Sequence, residues 1–356
     1  NTIAHPPLEV LLTTDEETSM TGAFGLQAKT LQGKILINTD SEQEGALYVG
    51  CSGSIDLNIN FPYIQMKTEP TDSAYEISLN GLKGGHSGRD IHLNRGNAIK
   101  VLAGVLHNLD AFPFRLAIFE GGDLRNTIPR EARAVIICDK QYQNSLEILI
   151  NTLQLDLQER FKDSEDSLQL SVKSCDLPLF TLLSQCQSDF LDCLQDCDNG
   201  VFAMDEDFPS VVQTSSNLGA VSQNRGERTS FTIKILVRSQ IDYETLITIE
   251  KIAQLFKNRG ATYRIDGNYP SWKPNPDSFI YKIITEQYNK LFNKKPETTV
   301  IHAGLECGLF NNKYPDLDII SFGPTIKFPH SPDEKVHIPS VDKYWQLLIA
   351  TLKAID

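Results

Sequence analysis

The chain has 356 residues, of which 40% are hydrophobic, and its formal net charge at pH 7 is -13. This length is typical of two domains, and the apolar fraction is large enough for a folded core, which excludes a wholly disordered chain. An acidic surface repels phosphate backbones, so we expect no nucleic-acid binding. The chain has no apolar run long enough for a membrane helix and no signal-peptide pattern. Seven cysteines without a C-x-x-C pair favour a reducing, cytoplasmic location away from membranes.

The N-terminal part of the chain predicts a strand–helix–strand unit. Residues 8–12 and 35–37 are continuous apolar runs, as in parallel strands covered on both faces. Residues 21–32, between them, show a weak helical periodicity. Ligands of open α/β sheets bind beyond the carboxyl ends of the strands, so we expect the acidic residues that follow both strands to face one site. These residues include Glu16, Glu17 and Asp40.

The middle of the chain predicts an α+β insertion made of two similar halves. A strand–helix–strand–strand–helix order occurs twice between residues 58 and 271. The predicted helices cover residues 94–109, 145–161, 179–197 and 243–259, and Asn94 or Asn97 is available to cap the first. A linker rich in Pro, Gly and Asn follows, and helices and strands then alternate again, with helices predicted at 278–292, at 305–310 and from Val341.

Several common catalytic motifs are missing from the sequence. It contains no G-x-x-x-x-G-K-[ST], no G-x-G-x-x-G and no H-E-x-x-H. The segment GGHSG does not have the spacing of a G-x-S-x-G nucleophile turn, which argues against a serine hydrolase. The remaining candidates for chemistry are dispersed carboxylates and histidines.

Two readings apply to the acidic residues. Glu16 and Glu17 form either a solvated turn or a metal ligand beside a proton acceptor, and Asp40 has the same two readings because Asp also favours turns. His330 stands in a polar, Pro-rich loop with little core to fill, which favours a ligand role. His302 fits a ligand, a substrate contact or a packed core residue.

Two residues of the insertion also have alternative readings. His86, between glycines in KGGHSG, is either a turn histidine or a donor that stabilises an oxyanion in a cleft. Arg238, at the end of the apolar strand IKILVR, is either an edge charge or the partner of a substrate carboxylate.

Taken together, six segments resemble those of one enzyme family. They are HPPLEVLLTTDEETSMTGAFGL, ILINTDSEQEG, GLKGGHSG, LRNTIPREA, IHAGLECGLF and GPTIKFPHSPDEKVHI. In this order they resemble the cytosolic aminoacyl-histidine dipeptidases, bacterial carnosinase-like enzymes of a co-catalytic zinc peptidase family. The resemblance runs essentially from end to end of the chain.

The resemblance implies an α/β fold of two domains. A three-layer α/β/α catalytic domain would comprise residues 1–57 and 272–356, and an inserted α+β lid and dimerisation domain would comprise residues 58–271. It also implies a homodimer, short peptide substrates and two zinc ions, or other divalent metals, in each full-length subunit.

The resemblance further assigns roles to individual residues. It implies that Glu16 is the general base and that His86 stabilises the oxyanion across a dimer interface. The implied zinc ligands are Glu17 and His330 for one ion and Asp40 for the other. The implied contacts to the carboxyl end of the substrate are Asn126, Arg238 and Gly304.

The sequence departs from the family pattern before the Glu-Glu pair. The family has a His-x-Asp motif and a metal-bridging Asp upstream, and this chain has neither. We therefore expect the chain to be a portion of a longer enzyme. The alternatives are a catalytically inactive dimeric homologue without the full metal site, and a related peptidase or aminoacylase of the same family.

Overall fold

The computed structural model describes residues 3–17, 20–109, 112–226, 229–329 and 331–355. The helices in these ranges are α1 (Thr21–Gly25), α2 (Ala98–His107), α3 (Gln143–Arg160), α4 (Ser184–Asp196), α5 (Asp242–Lys257), α6 (Phe279–Phe292), α7 (Glu306–Lys313) and α8 (Ile338–Ala354). The strands are β1 (Ile35–Asn38), β2 (Ala46–Cys51), β3 (Gly53–Pro62), β4 (Gln65–Lys67), β5 (Ser73–Asn80), β6 (Gly85–His86), β7 (Phe114–Gly121), β8 (Thr127–Ile128), β9 (Ala132–Cys138), β10 (Gln169–Cys175), β11 (Phe180–Leu182), β12 (Gly200–Met204), β13 (Val212–Asn224), β14 (Ser230–Ser239), β15 (Thr262–Tyr269), β16 (Glu297–Ile301), β17 (Asp318–Ser321), β18 (Ile326–Lys327) and β19 (Lys335–Val336).

The smaller of the two main sheets joins strands from both ends of the chain. Its order is β1-β17-β2-β16, and the pairs β1–β17 and β2–β16 are parallel. Helices α1 and α7 pack on one face around Ala23 and Cys307, and helices α6 and α8 pack on the other around Ile284 and Leu347. This arrangement confirms the predicted three-layer α/β/α domain.

The larger sheet is antiparallel and lies in the middle of the chain. Its order is β10-β5-β9-β7-β13-β14-β3-β15, with β12 added on β13. Helices α2, α3, α4 and α5 contribute to one apolar core on the same face of this sheet. A single residue pair, Val221 opposite Gly121, joins the two halves between β7 and β13. The predicted α+β domain with two similar halves is thereby confirmed.

The predicted N-terminal strand–helix–strand unit is wrong. Residues 8–12 form no strand, and Val10 is 83% exposed. An apolar run becomes a strand only when a neighbouring strand pairs with its backbone N–H and C=O groups. None of the described strands pairs with residues 8–12. The helix predicted over residues 21–32 ends at Gly25. The strand predicted at residues 35–37 is confirmed, but its parallel partner is β17 near the other end of the chain.

The later helices agree with their predictions to within a few residues at most ends. For α2 the cap is Asn97, whose side chain accepts hydrogen bonds from the backbone N–H groups of Ile99 and Lys100. The division of the chain at residues 57 and 271 stays a proposal, and strand β3 runs through the first of these positions. Among the described residues, no helix has the length and apolar character needed to cross a membrane.

The chain crosses between the two sheets at two adjacent places. Strand β2 of the smaller sheet ends at Cys51, and β3 of the larger sheet begins at Gly53. After β15 of the larger sheet, the chain returns to the smaller sheet through Trp272. This residue exchanges two backbone hydrogen bonds with Cys51, with N···O distances of 2.9 and 3.0 Å. A Cβ atom at Gly53 would lie 2.6 Å from the carbonyl oxygen of Tyr269, so the two crossing segments are in close contact. The cleft described next lies between the sheets that they connect.

Candidate functional site

A cleft of about 770 Å³ contains nearly all of the predicted site residues. The predicted residues that line it are Glu16, Glu17, Asp40, His86, Asn126, Arg238 and Gly304. The remaining one, His330, lies outside the described residues. The structure therefore brings together residues that are up to 288 positions apart in the chain, as the resemblance implies.

The acidic wall of the cleft is set by a turn rather than by a strand end. Asp15 has a positive φ of 61°, and its carbonyl oxygen accepts a hydrogen bond from the N–H of Met20 at 2.7 Å. The carbonyl of Thr14 accepts from Gly22 at 3.1 Å, and a Cβ atom at Gly22 would lie 2.5 Å from the nitrogen of Thr14. This turn places Glu16 and Glu17 in the cleft without the strand that we predicted before them.

Asp40 reaches the same wall from the smaller sheet. It follows strand β1, and its N–H donates to Oδ1 of Asn38 at 3.1 Å. The predicted position at the carboxyl end of a parallel strand is therefore correct for Asp40.

His86 lies on the opposite wall with its ring orientation fixed. Its Nδ1 atom accepts hydrogen bonds from the backbone N–H groups of Gly88 and Arg89, both at 3.1 Å. In the neutral ring the proton is then on Nε2, which makes Nε2–H the donor. The resemblance implies that this histidine is delivered across a dimer interface. In the single chain described here, His86 lines the cleft, and its strand β6 pairs with β8.

Asn126 is held beside His86. The carbonyl oxygen of Asn126 accepts a hydrogen bond from the N–H of Ser87 at 2.8 Å. On either side of it, the carbonyl oxygens of Arg125 and Thr127 accept from the buried side-chain amide of Asn217 at 2.9 and 2.7 Å. A buried amide with two such contacts fixes the backbone of this loop.

Arg238 places a buried positive charge at the cleft. It is 7% exposed, and burial lowers its pKa to about 10, opposed by the nearby carboxylate of Asp56. Its Nε atom has no hydrogen-bond partner among the described residues. A buried guanidinium that lines a cleft and is not fully paired is suited to binding an anion.

A second guanidinium, that of Arg125, lies at this wall and was not predicted from the sequence. The Nε atom of Arg125 donates to Oδ1 of Asp56 at 2.6 Å, and both residues line the cleft. Burial raises the pKa of Asp56, and the adjacent guanidinium of Arg125 opposes this shift. Arg125 and Asp56 lie 69 residues apart in the chain, so the sequence does not show that they pair. The one local indication is that Arg125 precedes the candidate residue Asn126.

Gly304 lines the cleft on the side of the smaller sheet, and Glu306 lies two residues further along the chain. A Cβ atom at Gly304 would lie 3.3 Å from the ring of Tyr269, whose hydroxyl donates to the carbonyl of Leu305. Glu306 is buried and accepts a hydrogen bond from the hydroxyl of Thr13 at 3.0 Å. Burial raises the pKa of Glu306, and Thr13 opposes the shift.

The described residues do not by themselves complete a metal site. No group of three His, Cys, Asp or Glu side chains among them could hold an ion. Glu17 and Asp40 supply carboxylates to one cleft, which suits a divalent cation, but a catalytic zinc usually has three protein ligands. The third predicted ligand, His330, lies outside the described residues.

The contact between the His86 loop and the smaller domain can be tested through Gly88. A Cβ atom at Gly88 would lie 2.1 Å from the carbonyl oxygen of His302. We expect Gly88→Ala to lower the free energy of unfolding by about 1–3 kcal/mol, because the backbone must move to relieve the clash. In the control variant Gly104→Ala the new Cβ meets nothing closer than 3.6 Å, so its stability should not fall. Urea denaturation measures both, and equal stabilities would contradict this contact.

The comparisons with known proteins agree with this fold and site. Residues 77–165 match the profile of a peptidase dimerisation domain of the M20 type. The chain is 43% identical over 357 residues to the cytosol non-specific dipeptidase of Escherichia coli (strain K12), covering 99% of this chain and 72% of that protein. It also resembles the crystal structure of the aminoacylhistidine dipeptidase of Vibrio alginolyticus, with 42% identity, a TM-score of 0.90, and coverage of 100% of this chain and 72% of that one. The chain therefore belongs to the M20 family of peptidases, which are hydrolases.

Proposed function

We propose that this protein hydrolyses dipeptides that carry a free carboxyl end, including Xaa-His dipeptides such as β-alanyl-histidine. The observation that carries the proposal is the composition of the two walls of the cleft. Glu16, Glu17 and Asp40 line one side, and the buried guanidinium of Arg238 lines the other. The names of the two similar proteins, a non-specific dipeptidase and an aminoacylhistidine dipeptidase, support the same substrate class.

Arg238 binds the carboxylate of the substrate in this proposal. A guanidinium presents parallel N–H donors that match the two oxygens of a carboxylate. Asn126 and the backbone at Gly304 lie in the same cleft and complete the contacts to this end of the substrate. A longer peptide would leave the buried charge of Arg238 without its carboxylate, which restricts the cleft to short substrates.

Glu16 and His86 carry out the proton and charge chemistry in this proposal. Glu16 takes a proton from the attacking water and delivers it to the leaving amine. The Nε2–H of His86 donates to the oxygen that becomes negative when the peptide carbonyl is attacked. Because two backbone N–H groups hold Nδ1, this donor needs little reorganisation during the reaction.

The family implies a divalent metal, and we propose zinc, with two ions in each full-length subunit. The proposed ligands are Glu17 and Asp40 among the described residues and His330 outside them. When bound, the metal lowers the pKa of the attacking water and polarises the peptide carbonyl.

We further propose that the enzyme is a cytoplasmic homodimer formed through residues 58–271, which include the matched dimerisation segment.

The general-base role is tested by Glu16→Gln. The amide cannot accept the proton, so we expect kcat for β-alanyl-histidine to fall by about a hundredfold to ten-thousandfold, with KM changed only a few-fold. Metal content should stay at the wild-type level, because Glu16 is not a proposed ligand. The exposed Glu69 provides the control variant Glu69→Gln, which should keep wild-type kinetics. Turnover of the Glu16 variant within tenfold of the wild type would contradict the role.

The carboxylate-binding role is tested by Arg238→Met with two substrates, a dipeptide and its C-terminal amide. We expect the wild type to prefer the dipeptide, and the variant to lose about tenfold to a hundredfold in kcat/KM for the dipeptide alone. The matched control is Lys234→Met, since Lys234 is an exposed cation on the same strand. A variant that still prefers the free carboxylate would refute this assignment.

A further inference from the structure

The buried ring of His302 makes hydrogen bonds through both of its nitrogens. It lies directly after strand β16 and is 6% exposed. Its Nδ1 atom is 2.8 Å from Oγ of Ser52, and its Nε2 atom is 2.7 Å from Oγ of Ser215. Both serines are almost fully buried. A histidine with both nitrogens engaged in this way is neither a metal ligand nor a substrate contact, which resolves the alternatives that the sequence left open.

These two serines belong to different sheets. Ser52 is the single residue between strand β2 of the smaller sheet and strand β3 of the larger one. Its N–H donates to the carbonyl of Ile301 at 3.0 Å, which keeps it on the smaller sheet. Ser215 lies inside strand β13 of the larger sheet. The imidazole therefore bridges the two sheets at the point where the chain crosses between them.

The bridge contains one ring donor and one ring acceptor because the ring is neutral. Burial lowers the pKa of His302 to about 3, and the positive charge of Arg238 acts in the same direction. In a neutral ring one nitrogen donates and the other accepts, so one serine hydroxyl accepts from the ring and the other donates to it. Displacing either sheet would leave a buried polar atom without a partner, which is costly in a low-dielectric interior.

The bridge also touches the groups that face the substrate. Ser215 lies opposite Arg238 in the β13–β14 pairing, and Arg238 lies opposite Ser54 in the next pairing. The carbonyl oxygen of His302 packs against Gly88 in the His86 loop. The neighbours on the other side of His302 in the chain, Ala303 and Gly304, line the cleft itself.

We propose that His302 is a positioning residue, and that the chain Ser52–His302–Ser215 locks the two sheets in the orientation that hydrolysis requires. The acidic wall lies on the side of the smaller sheet, whereas Arg238 lies on β14 of the larger sheet and His86 lies on the short β6–β8 pair beside it. Hydrolysis needs both walls at once, whereas the charged contact to the substrate carboxylate comes from Arg238 on the larger sheet alone. Loosening the lock therefore lowers kcat more than it raises KM. The inference rests on the proposed function for its kinetic consequence.

The test compares two neighbouring serines of the same strand. Ser215→Ala removes one end of the bridge, and we expect kcat for β-alanyl-histidine to fall by about tenfold with KM within threefold of the wild type. Ser216 is also buried, but its hydroxyl has no hydrogen-bond partner among the described residues, so Ser216→Ala is the matched control. This control should keep kcat within twofold. Ser52→Ala removes the other end of the bridge and should reproduce the effect of Ser215→Ala.

Hydrogen–deuterium exchange distinguishes loss of the bridge from general destabilisation, and it does not depend on the proposed function. Hydrogen–deuterium exchange should be faster at the two crossing segments, residues 51–54 and 269–272, in Ser215→Ala and Ser52→Ala than in Ser216→Ala. If the wild type does not cleave dipeptides, the proposed function fails, and faster exchange in these two variants would still support the lock. Kinetics and exchange in Ser215→Ala equal to those of Ser216→Ala would overturn the inference.

Discussion

The relative orientation of the two sheets is the constraint on which the cleft depends. The carboxylates of one wall follow strand β1 of the smaller sheet or lie in the N-terminal turn. On the other wall, the guanidinium of Arg238 belongs to the larger sheet and the imidazole of His86 to the short β6–β8 pair. Two crossing segments connect these bodies, and they are paired by backbone hydrogen bonds between Cys51 and Trp272. The bridge through His302 lies at the same place. The geometry of the site is thus determined at the junction rather than within either sheet.

Burial has different consequences for the charges of Arg238 and His302. Arg238 remains a cation although burial lowers its pKa, because a value of about 10 is still well above neutral pH. Its charge is then available for an anionic ligand at low dielectric, where the interaction is stronger than in water. Burial keeps His302 neutral, so neighbouring buried positions hold a charged guanidinium at Arg238 and an uncharged imidazole bridge at His302.

The sequence identifies residues that the structure brings into one cleft, although it mispredicts some of the local elements around them. The run at residues 8–12 looks like a buried strand, yet Val10 is exposed, because strand formation depends on a partner that no local pattern reveals. Glu16 nevertheless lines the cleft, since hydrogen bonds from α1 to the turn before it replace the strand. Helices such as α3 and α5 are predicted well because their periodicity is local. The pairing of β1 with β17 and the contact of His302 with Ser52 join segments 250 or more residues apart, which a single sequence does not show.

The most direct test of this account is a crystal structure of the protein with a non-hydrolysable phosphinic analogue of β-alanyl-histidine. We expect the carboxylate of the analogue to pair with Arg238, and its phosphinate to lie between the acidic wall and Nε2 of His86. An analogue whose carboxylate points toward the acidic wall or into solvent, away from Arg238, would contradict it.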